Sequence, residues 1–290
     1  MLNRKKEAVQ GILYILPSFV LILVFSIIPI LMSAFFSFTK YNVMQLPEWA
    51  GLSNYIRMLG DPYVKASLIN TLVFTLGTVP VQTVLSLVIA AALAELFRKK
   101  FGSFVKSALF VPVIASAILV GTLWSFLLNQ RGIVNELLGL FGLEPVNWLG
   151  RKATAMFSVC LVHVWKNVGY FLVIYYAGIM DIPRSQYEAA EADGANAVQR
   201  FFRITLPSLR GVTYLVVTLG VIWSFQVFDL VYNMTGGGPG TSTQTLVLTI
   251  YNAAFKEYSM GYASAVAMLM FVFVLVVHAI QKIFLKDKED

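Results

Sequence analysis

Two long apolar segments carry side chains that could bind a ligand rich in hydroxyl groups. In the first, positions 163, 166, 167 and 170 share one face of a helix, and in the second positions 223 and 226 align. Aromatic faces stack on the C–H surface of a sugar ring, while polar side chains hydrogen-bond its hydroxyls. The candidate ligand-contacting residues are Trp165, Lys166, Asn167, Tyr170, Trp223, Ser224 and Gln226.

These side chains also have structural interpretations, because polar groups inside apolar segments often face the interior of a bundle. Tyr170 and Trp223 could be packing aromatics. Lys166 could form an ion pair with Asp229, and His163 fits a hydrogen-bonded packing residue better than a proton relay. The sequence leaves these alternatives open.

The sequence offers no pattern for catalysis or metal binding. Cys160 is the only cysteine, and with two histidines, His163 and His278, it gives too few ligands for a Cys/His metal site. The histidines lack the H-E-x-x-H spacing of a membrane metalloprotease. The glycines at 236–240 lack the Gly-Lys-Ser/Thr of a phosphate loop. We therefore expect no catalytic residue, metal or cofactor in this chain.

The composition indicates that lipid solvates much of the surface. Of 290 residues, 58% are hydrophobic and 13% are charged, whereas a soluble domain carries about 25% charged residues. The net charge of +7 could indicate nucleic acid, but no basic patch is interleaved with exposed aromatics. We expect no nucleic-acid partner.

Six stretches reach the length of about 20 apolar residues that a transmembrane helix needs. They cover about 11–37, 67–95, 105–128, 154–180, 211–232 and 261–284. The first is too long for a cleavable signal peptide and is interpreted as an uncleaved helix. The sequence therefore predicts an all-α polytopic membrane protein with six transmembrane helices.

The orientation follows from the lysines and arginines between these stretches. With the N-terminus in the cytoplasm, the inside segments hold about twice as many lysine and arginine residues as the outside loops. Both termini and the segment 181–210 are therefore predicted to face the cytoplasm.

Residues 181–210, which we call the polar insert, place four basic and four acidic residues between the fourth and fifth spans. Ser185 and Glu188 have capping-box spacing, which predicts a short helix at about 186–192. Gly194 can end that helix in the left-handed conformation. Local patterns alone support a solvated loop as well as a docking surface.

The second half of the polar insert has its own helix signal. Asn196 followed by Gln199 offers another capping pattern, and Pro207 precedes the next span. The alanines between the two signals keep this segment thin, so the backbone of a partner could approach closely.

The polar insert resembles the EAA loop of ATP-binding-cassette importer permeases. It contains Glu188-Ala189-Ala190, Asp193-Gly194-Ala195 and Ile204-Thr205-Leu206-Pro207, which match EAA-x-x-DGA followed by I-x-LP with the spacing intact. In that family the first helix of the loop docks in a groove of the ATPase subunit. The residues that the resemblance implies for ATPase coupling are Glu188, Ala189, Ala190, Asp193, Gly194 and Ala195.

A second segment resembles carbohydrate-importer permeases. Residues 228–239 read FDLVYNMTGGGP and are followed by Thr243 and Thr245-Leu246, similar to F-D-x-I-Y-x-MT-x-GGP…T-x-TL. The segment is typical of the MalF/glycerol-phosphate-type member of a permease pair. In this family the spans before and after the EAA loop form the sugar pocket, which agrees with the candidate residues above.

The resemblance implies a type I ABC importer permease fold in the bacterial plasma membrane. Residues 1–66 would hold the N-terminal tail, first helix and first outer loop. Residues 67–285 would form the five-helix core with the polar insert, and 286–290 a cytoplasmic tail. The implied partners are a second EAA-type permease, two ATPase subunits that bind ATP and Mg, and an extracytoplasmic solute-binding protein.

The implied function is import of a sugar, a di- or oligosaccharide, by a permease that is not itself an enzyme. Glycerol 3-phosphate or another polyol derivative is the alternative substrate class. A stand-alone secondary transporter is the alternative of a different class, although it would usually have more spans with an internal repeat.

Overall fold

The computed structural model describes residues 2–96 and 100–285, and most of these residues are helical. The chain forms two compact units, one of residues 1–61 with 249–271 and one of 62–248 with 272–290. The all-α prediction is confirmed. The predicted tail at 286–290 lies outside the described residues.

The first unit begins with one long apolar helical segment. It consists of α1 (Leu2–Ile22), a π-helical turn (Leu23–Ile27) and α2 (Ile28–Phe36). Large apolar side chains are exposed along this segment. Such exposure is unfavourable in water and favourable in hydrocarbon, which fits a membrane span.

A short region of strands and helix follows the first span in the same unit. It contains an antiparallel pair of short strands, β1 (Thr39–Lys40) and β2 (Glu48–Trp49), and helix α3 (Ser53–Gly60). The Asn54 amide donates to the carbonyls of Ser37 and Thr39, both at 2.9 Å. These bonds hold the chain where it leaves the apolar helix.

The second unit is built on two long helices. In chain order its elements are α4 (Pro62–Leu96), α5 (Lys100–Ile114), α6 (Ala117–Leu127), α7 (Ile133–Leu140), α8 (Lys152–Asp181), α9 (Arg184–Ala192), α10 (Ala197–Arg200), a π-helical turn (Phe201–Thr205), α11 (Leu206–Ser208), α12 (Arg210–Phe225) and α13 (Asp229–Met234). Helices α4 and α8 pack along each other, with α12 against α4. Phe171, Leu172 and Tyr175 are fully buried in this core.

Two further helices belong partly to each unit. Helix α14 (Leu246–Tyr251) continues into a π-helical turn (Asn252–Lys256), and α15 (Met260–Leu285) forms the last span. The last span agrees with the predicted 261–284 to within one residue at each end.

Among the described residues, four helices are long and apolar enough to cross a membrane, or six if each of two bent pairs is one span, Gly102–Ile114 with Ala117–Leu127 and Ala197–Ser208 with Arg210–Phe225. The second span begins at Pro62, five residues before the predicted start at 67. The predictions for the first, fourth and sixth spans agree with the helices. The third and fifth spans are not the single helices that the hydropathy predicted.

The third span is broken into α5 and α6, which meet at an angle of 100°. Ser116 begins α6, because its Oγ accepts a hydrogen bond from the Leu119 amide at 3.2 Å. The Lys166 ammonium donates to the Val113 carbonyl near the end of α5, at 3.2 Å. Such donors compensate the carbonyls that a helix end leaves unpaired.

The fifth span ends early. The apolar run predicts a helix to residue 232, but α12 ends at Phe225 and α13 begins at Asp229. The Thr245 hydroxyl donates to the Val227 carbonyl within this break, at 3.2 Å. Because the donor comes from a distant segment, hydropathy could not locate the break.

Helix α8 crosses α5 at Gly169, where the two backbones approach closely. A Cβ at Gly169 would lie far inside van der Waals contact with the Leu109 carbonyl and 3.1 Å from the Phe110 nitrogen. Small residues at such crossings allow membrane helices to pack closely.

We expect Gly169→Ala to lower the midpoint of thermal unfolding in detergent, because overpacking against backbone typically costs about 1–3 kcal/mol. Gly211→Ala, in α12, is the matched control since its Cβ would meet no atom within 4 Å. Equal midpoints for the two variants would contradict the close crossing.

Candidate functional site

A cavity of about 190 Å³ lies where both broken spans meet α8. Its lining residues are Ala117, His163, Lys166, Asn167, Trp223, Gln226, Val227, Phe228, Asp229 and Leu230. Ala117 is the first residue of α6, and residues 226–230 cover the break between α12 and α13 and the start of α13. The breaks therefore create the space and expose polar groups to it.

Helix α8 supplies three polar side chains to the cavity. His163, Lys166 and Asn167 line it together, as their helical spacing predicted. Asn167 is buried and its amide donates to the His163 carbonyl at 2.9 Å. The His163 ring packs edge-on against the Phe74 ring, with 4.9 Å between the ring centroids. The Nε2 atom of His163 has no hydrogen-bond partner among the described residues.

The end of α12 supplies the opposite wall. Trp223 and Gln226 line the cavity, and Gln226 is exposed. The Trp223 ring packs against the rings of Tyr170 and Phe171, with ring centroids 4.8 Å and 5.4 Å away. This packing fixes an aromatic face beside amide groups, an arrangement suited to a sugar ring.

Three of the candidate ligand-contacting residues lie outside the cavity lining. Ser224 is fully buried and its hydroxyl donates to Thr75 at 2.9 Å, so it joins α12 to α4. Tyr170 supports Trp223, and Trp165 packs against Trp124 at 5.4 Å. Helical spacing placed these residues near the site but could not determine which way each faces.

Lys166 and Asp229 both line the cavity, yet no ion pair joins them in the part of the chain that the structure describes. Lys166 instead donates to the Val113 carbonyl. One of its roles is therefore to cap the broken third span.

A glycine-rich loop, residues 235–245, holds the break after α12 in place. The buried Thr243 hydroxyl lies 2.7 Å from the Thr235 hydroxyl and donates to the Gly238 carbonyl at 2.8 Å. The Asn70 amide of α4 donates to the Thr241 carbonyl at 2.6 Å. The loop is thus fixed to α4 on one side and to Val227, through Thr245, on the other.

The polar insert forms two short helices, as predicted, with one difference in capping. Helix α9 begins at Arg184 after Pro183, with no side-chain cap, so the capping box predicted at Ser185 and Glu188 is wrong. Pro183 is the N-cap residue of α9 and follows the end of α8 at Asp181 by two residues. Gly194 has φ +79°, the left-handed conformation predicted for it.

The second capping pattern is confirmed. The side-chain oxygen of Asn196 accepts a hydrogen bond from the backbone N–H of Gln199, and the side-chain oxygen of Gln199 accepts one from the backbone N–H of Asn196, each at 2.9 Å. This reciprocal pair begins α10, which leads through the π-helical turn back to α12.

Helix α9 presents most of its surface to the outside. It has no buried residue, and Glu188, Ala189, Asp193 and Gly194 are exposed. Tyr187 packs against the buried core, and its hydroxyl lies 2.9 Å from that of Thr205. A thin exposed helix anchored by one aromatic residue leaves room for a partner to contact it.

The sequence did not single out an ion-pair cluster of three residues beside the polar insert, Arg200, Glu95 and Glu191. Arg200 contacts Glu95 and Glu191, two carboxylates on different helices. It entered the sequence interpretation only as a positive charge facing the cytoplasm. Ion pairs between distant segments leave no signal in a single sequence.

The described residues contain no group of three or more His, Cys, Asp or Glu that could hold a metal ion. What the cavity can offer is an aromatic face, amides and two charged groups.

Residues 62–289 match the family model described as binding-protein-dependent transport system inner membrane component. A probable ABC transporter permease of Bacillus subtilis is 34% identical over the full length of both chains. The trehalose/maltose transport system permease of Thermococcus litoralis is 35% identical over 93% of this chain and 91% of its own. The lactose transport system permease of Rhizobium radiobacter is 34% identical over 94% and 93%.

A solved structure has the same fold. The chain of a bacterial ABC transporter involved in the import of the acidic polysaccharide alginate aligns over 100% of both chains with a TM-score of 0.88 and 21% identity. At that identity the likeness concerns the fold.

We expect Thr243→Val to destabilise the glycine-rich loop, because the isosteric change leaves buried hydrogen-bond partners unpaired, at about 1–3 kcal/mol. Faster hydrogen exchange in residues 235–245 of the detergent-solubilised protein measures this. Thr241→Val is the matched control, since Thr241 takes part in the loop through its carbonyl. If both variants exchange alike, Thr243 does not hold the loop.

Proposed function

This chain belongs to the family of binding-protein-dependent transport system inner membrane components, and we propose that it forms part of the path by which an oligosaccharide enters the cell. The observation that carries the proposal is the polar cavity between α8 and the break after α12. Family membership disfavours the stand-alone secondary transporter.

The chemistry of the cavity supports a carbohydrate. Trp223 supplies an apolar face, and Asn167 and Gln226 supply amides that can donate to and accept from hydroxyls. The relatives are named for trehalose and maltose and for lactose, which disfavours glycerol 3-phosphate as the substrate. Of the candidate residues, Lys166, Asn167, Trp223 and Gln226 would contact the sugar.

The size of the cavity supports a shared path. Its volume of about 190 Å³ is below the roughly 300–1,000 Å³ of a typical ligand pocket. This chain would therefore supply one wall, with room for about one sugar ring. A second EAA-type permease would complete the path across the membrane.

The polar insert would couple the path to ATP hydrolysis. Helix α9 would lie in a groove of an ATPase subunit, with Glu188 to Ala195 in the contact. Two such subunits would bind ATP and Mg, so this chain would hydrolyse nothing itself. ATP binding would close the two subunits and move α9, which opens the cavity outward to accept sugar from the binding protein.

The topology follows from this arrangement. The polar insert would face the cytoplasm, with both termini on the same side of the bacterial plasma membrane. The glycine-rich loop would face outward, where an extracytoplasmic binding protein delivers the sugar.

The decisive experiment has two parts. The tagged chain is purified from native membranes in mild detergent, and the co-purifying proteins are identified. The complex is then placed in liposomes with its binding protein and tested for ATP-dependent uptake of maltose, trehalose, lactose and arabino-oligosaccharides. A chain that purifies alone and transports a sugar without ATP would refute the proposal.

Trp223→Leu and Gln226→Ala should each slow transport of the imported sugar about 3–10-fold, because a stacking face or a hydrogen bond is worth about 0.5–1.5 kcal/mol. Uptake into liposomes at saturating binding protein measures the rate. Trp165→Leu is the matched control, since Trp165 lies outside the cavity lining. A larger loss in Trp165→Leu than in Trp223→Leu would place the path elsewhere.

Gly194→Val should lower the amount of sugar transported per ATP hydrolysed, because valine is strained at φ +79°. A Cβ at Gly194 would meet no atom within 4 Å, so backbone strain rather than a clash is tested. Gly194→Asn should retain most of the coupling, since asparagine tolerates this conformation. Equal coupling in the two variants would exclude a role for the turn.

A further inference from the structure

Arg200, at the end of α10, joins two helices that are separate in sequence. One guanidinium nitrogen, Nη2, pairs with Glu95 near the end of α4. The other, Nη1, pairs with Glu191 of α9 at 2.9 Å. One side chain therefore connects the proposed ATPase-docking helix to the second span.

Apart from this bridge, Tyr187 of α9 packs against a buried cluster that includes Leu93 and Ala94 of α4. A cavity of about 500 Å³ lies between the polar insert and the ends of α4 and α8, lined by residues that include Ala94, Met180 and Tyr187. Because side chains do not fill this space, packing between α9 and α4 is incomplete there. The Arg200 bridge crosses the gap.

We propose that Arg200 is a positioning residue that transmits movement of α9 to α4, an inference that rests on the proposed coupling role of α9. Helix α4 carries Asn70, which holds the glycine-rich loop, as well as Glu95. Movement that reaches α4 through Glu95 can therefore reach the loop that positions Val227 and the substrate cavity.

The chemistry of arginine suits this role. Its planar guanidinium presents separate nitrogens to two carboxylates, whereas lysine offers a single compact ammonium. The hydrogen bond with Glu95 raises the pKa of Arg200 above its already high ordinary value, so the bridge keeps its charge. Only 17% of the Arg200 side chain is exposed, compared with 59% for Glu191.

The bridge should matter for coupling rather than for folding. Ion pairs with partly exposed partners contribute little to stability. Removing Arg200 should leave a folded chain in which α9 moves without carrying α4. The loss would then appear in the ratio of sugar transported to ATP hydrolysed.

The test uses the complete importer in liposomes, with the sugar that the wild-type complex transports. Arg200→Gln should reduce sugar transported per ATP at least fivefold, the lower end of typical coupling between sites, while the ATPase remains active. Glu95→Gln and Glu191→Gln each remove one of the two ion pairs of Arg200 and should also lower the amount of sugar transported per ATP. Arg200→Lys should fall between wild type and Arg200→Gln.

A charge-reversed triple variant, Glu95→Lys with Glu191→Lys and Arg200→Glu, rebuilds both pairs with opposite signs and should recover coupling. Glu257→Gln is the matched control. It removes the ion pair between Arg57 and Glu257, whose charged atoms are 3.5 Å apart and which belongs to neither the polar insert nor α4. Wild-type coupling in Arg200→Gln, no recovery in the triple variant, or an equal loss in Glu257→Gln would overturn the inference.

The outcomes separate this inference from the proposed function. If the wild-type complex shows no ATP-dependent uptake, the proposed function fails and Arg200 has no coupling to transmit. If the wild type transports and the Arg200 variants transport equally well per ATP, the bridge alone is refuted.

Discussion

The fold depends on one constraint: inside hydrocarbon, every backbone polar group needs a partner within the protein. Two spans are broken, and each break exposes groups that a continuous helix would pair. Lys166 supplies a donor to Val113 at the first break, and Thr245 supplies one to Val227 at the second. These partners make the breaks tolerable, and the breaks make the cavity.

The cavity therefore combines two needs that usually conflict. A transport path requires polar groups at membrane depth, where they are costly. Here the groups sit on one face of α8, supported by buried contacts such as Asn167 to the His163 carbonyl. The apolar face of Trp223 lies opposite, fixed by Tyr170 and Phe171. A ligand with both C–H surfaces and hydroxyls matches this mixed wall.

Two long helices connect the cavity region with the polar insert. The part of helix α8 from Asn167 to its end at Asp181 is about 21 Å long at 1.5 Å per residue, and Pro183 leads from there into α9. Helix α4 carries Asn70 beside the glycine-rich loop and Glu95 beside Arg200. Helices are stiff along their axes, so displacements at one end can reach the other.

The sequence by itself determined the apolar segments, the polar insert and the caps at Gly194 and Asn196. These depend on local properties, namely hydropathy over about 20 residues and backbone preferences over a few. It also determined that 163, 166 and 167 share a face. Tertiary structure alone decided where the third span breaks, that α12 ends at Phe225, that Ser224 faces Thr75, and that Arg200 joins Glu95 to Glu191. The physical reason is that these features depend on hydrogen bonds and ion pairs between residues far apart in the chain.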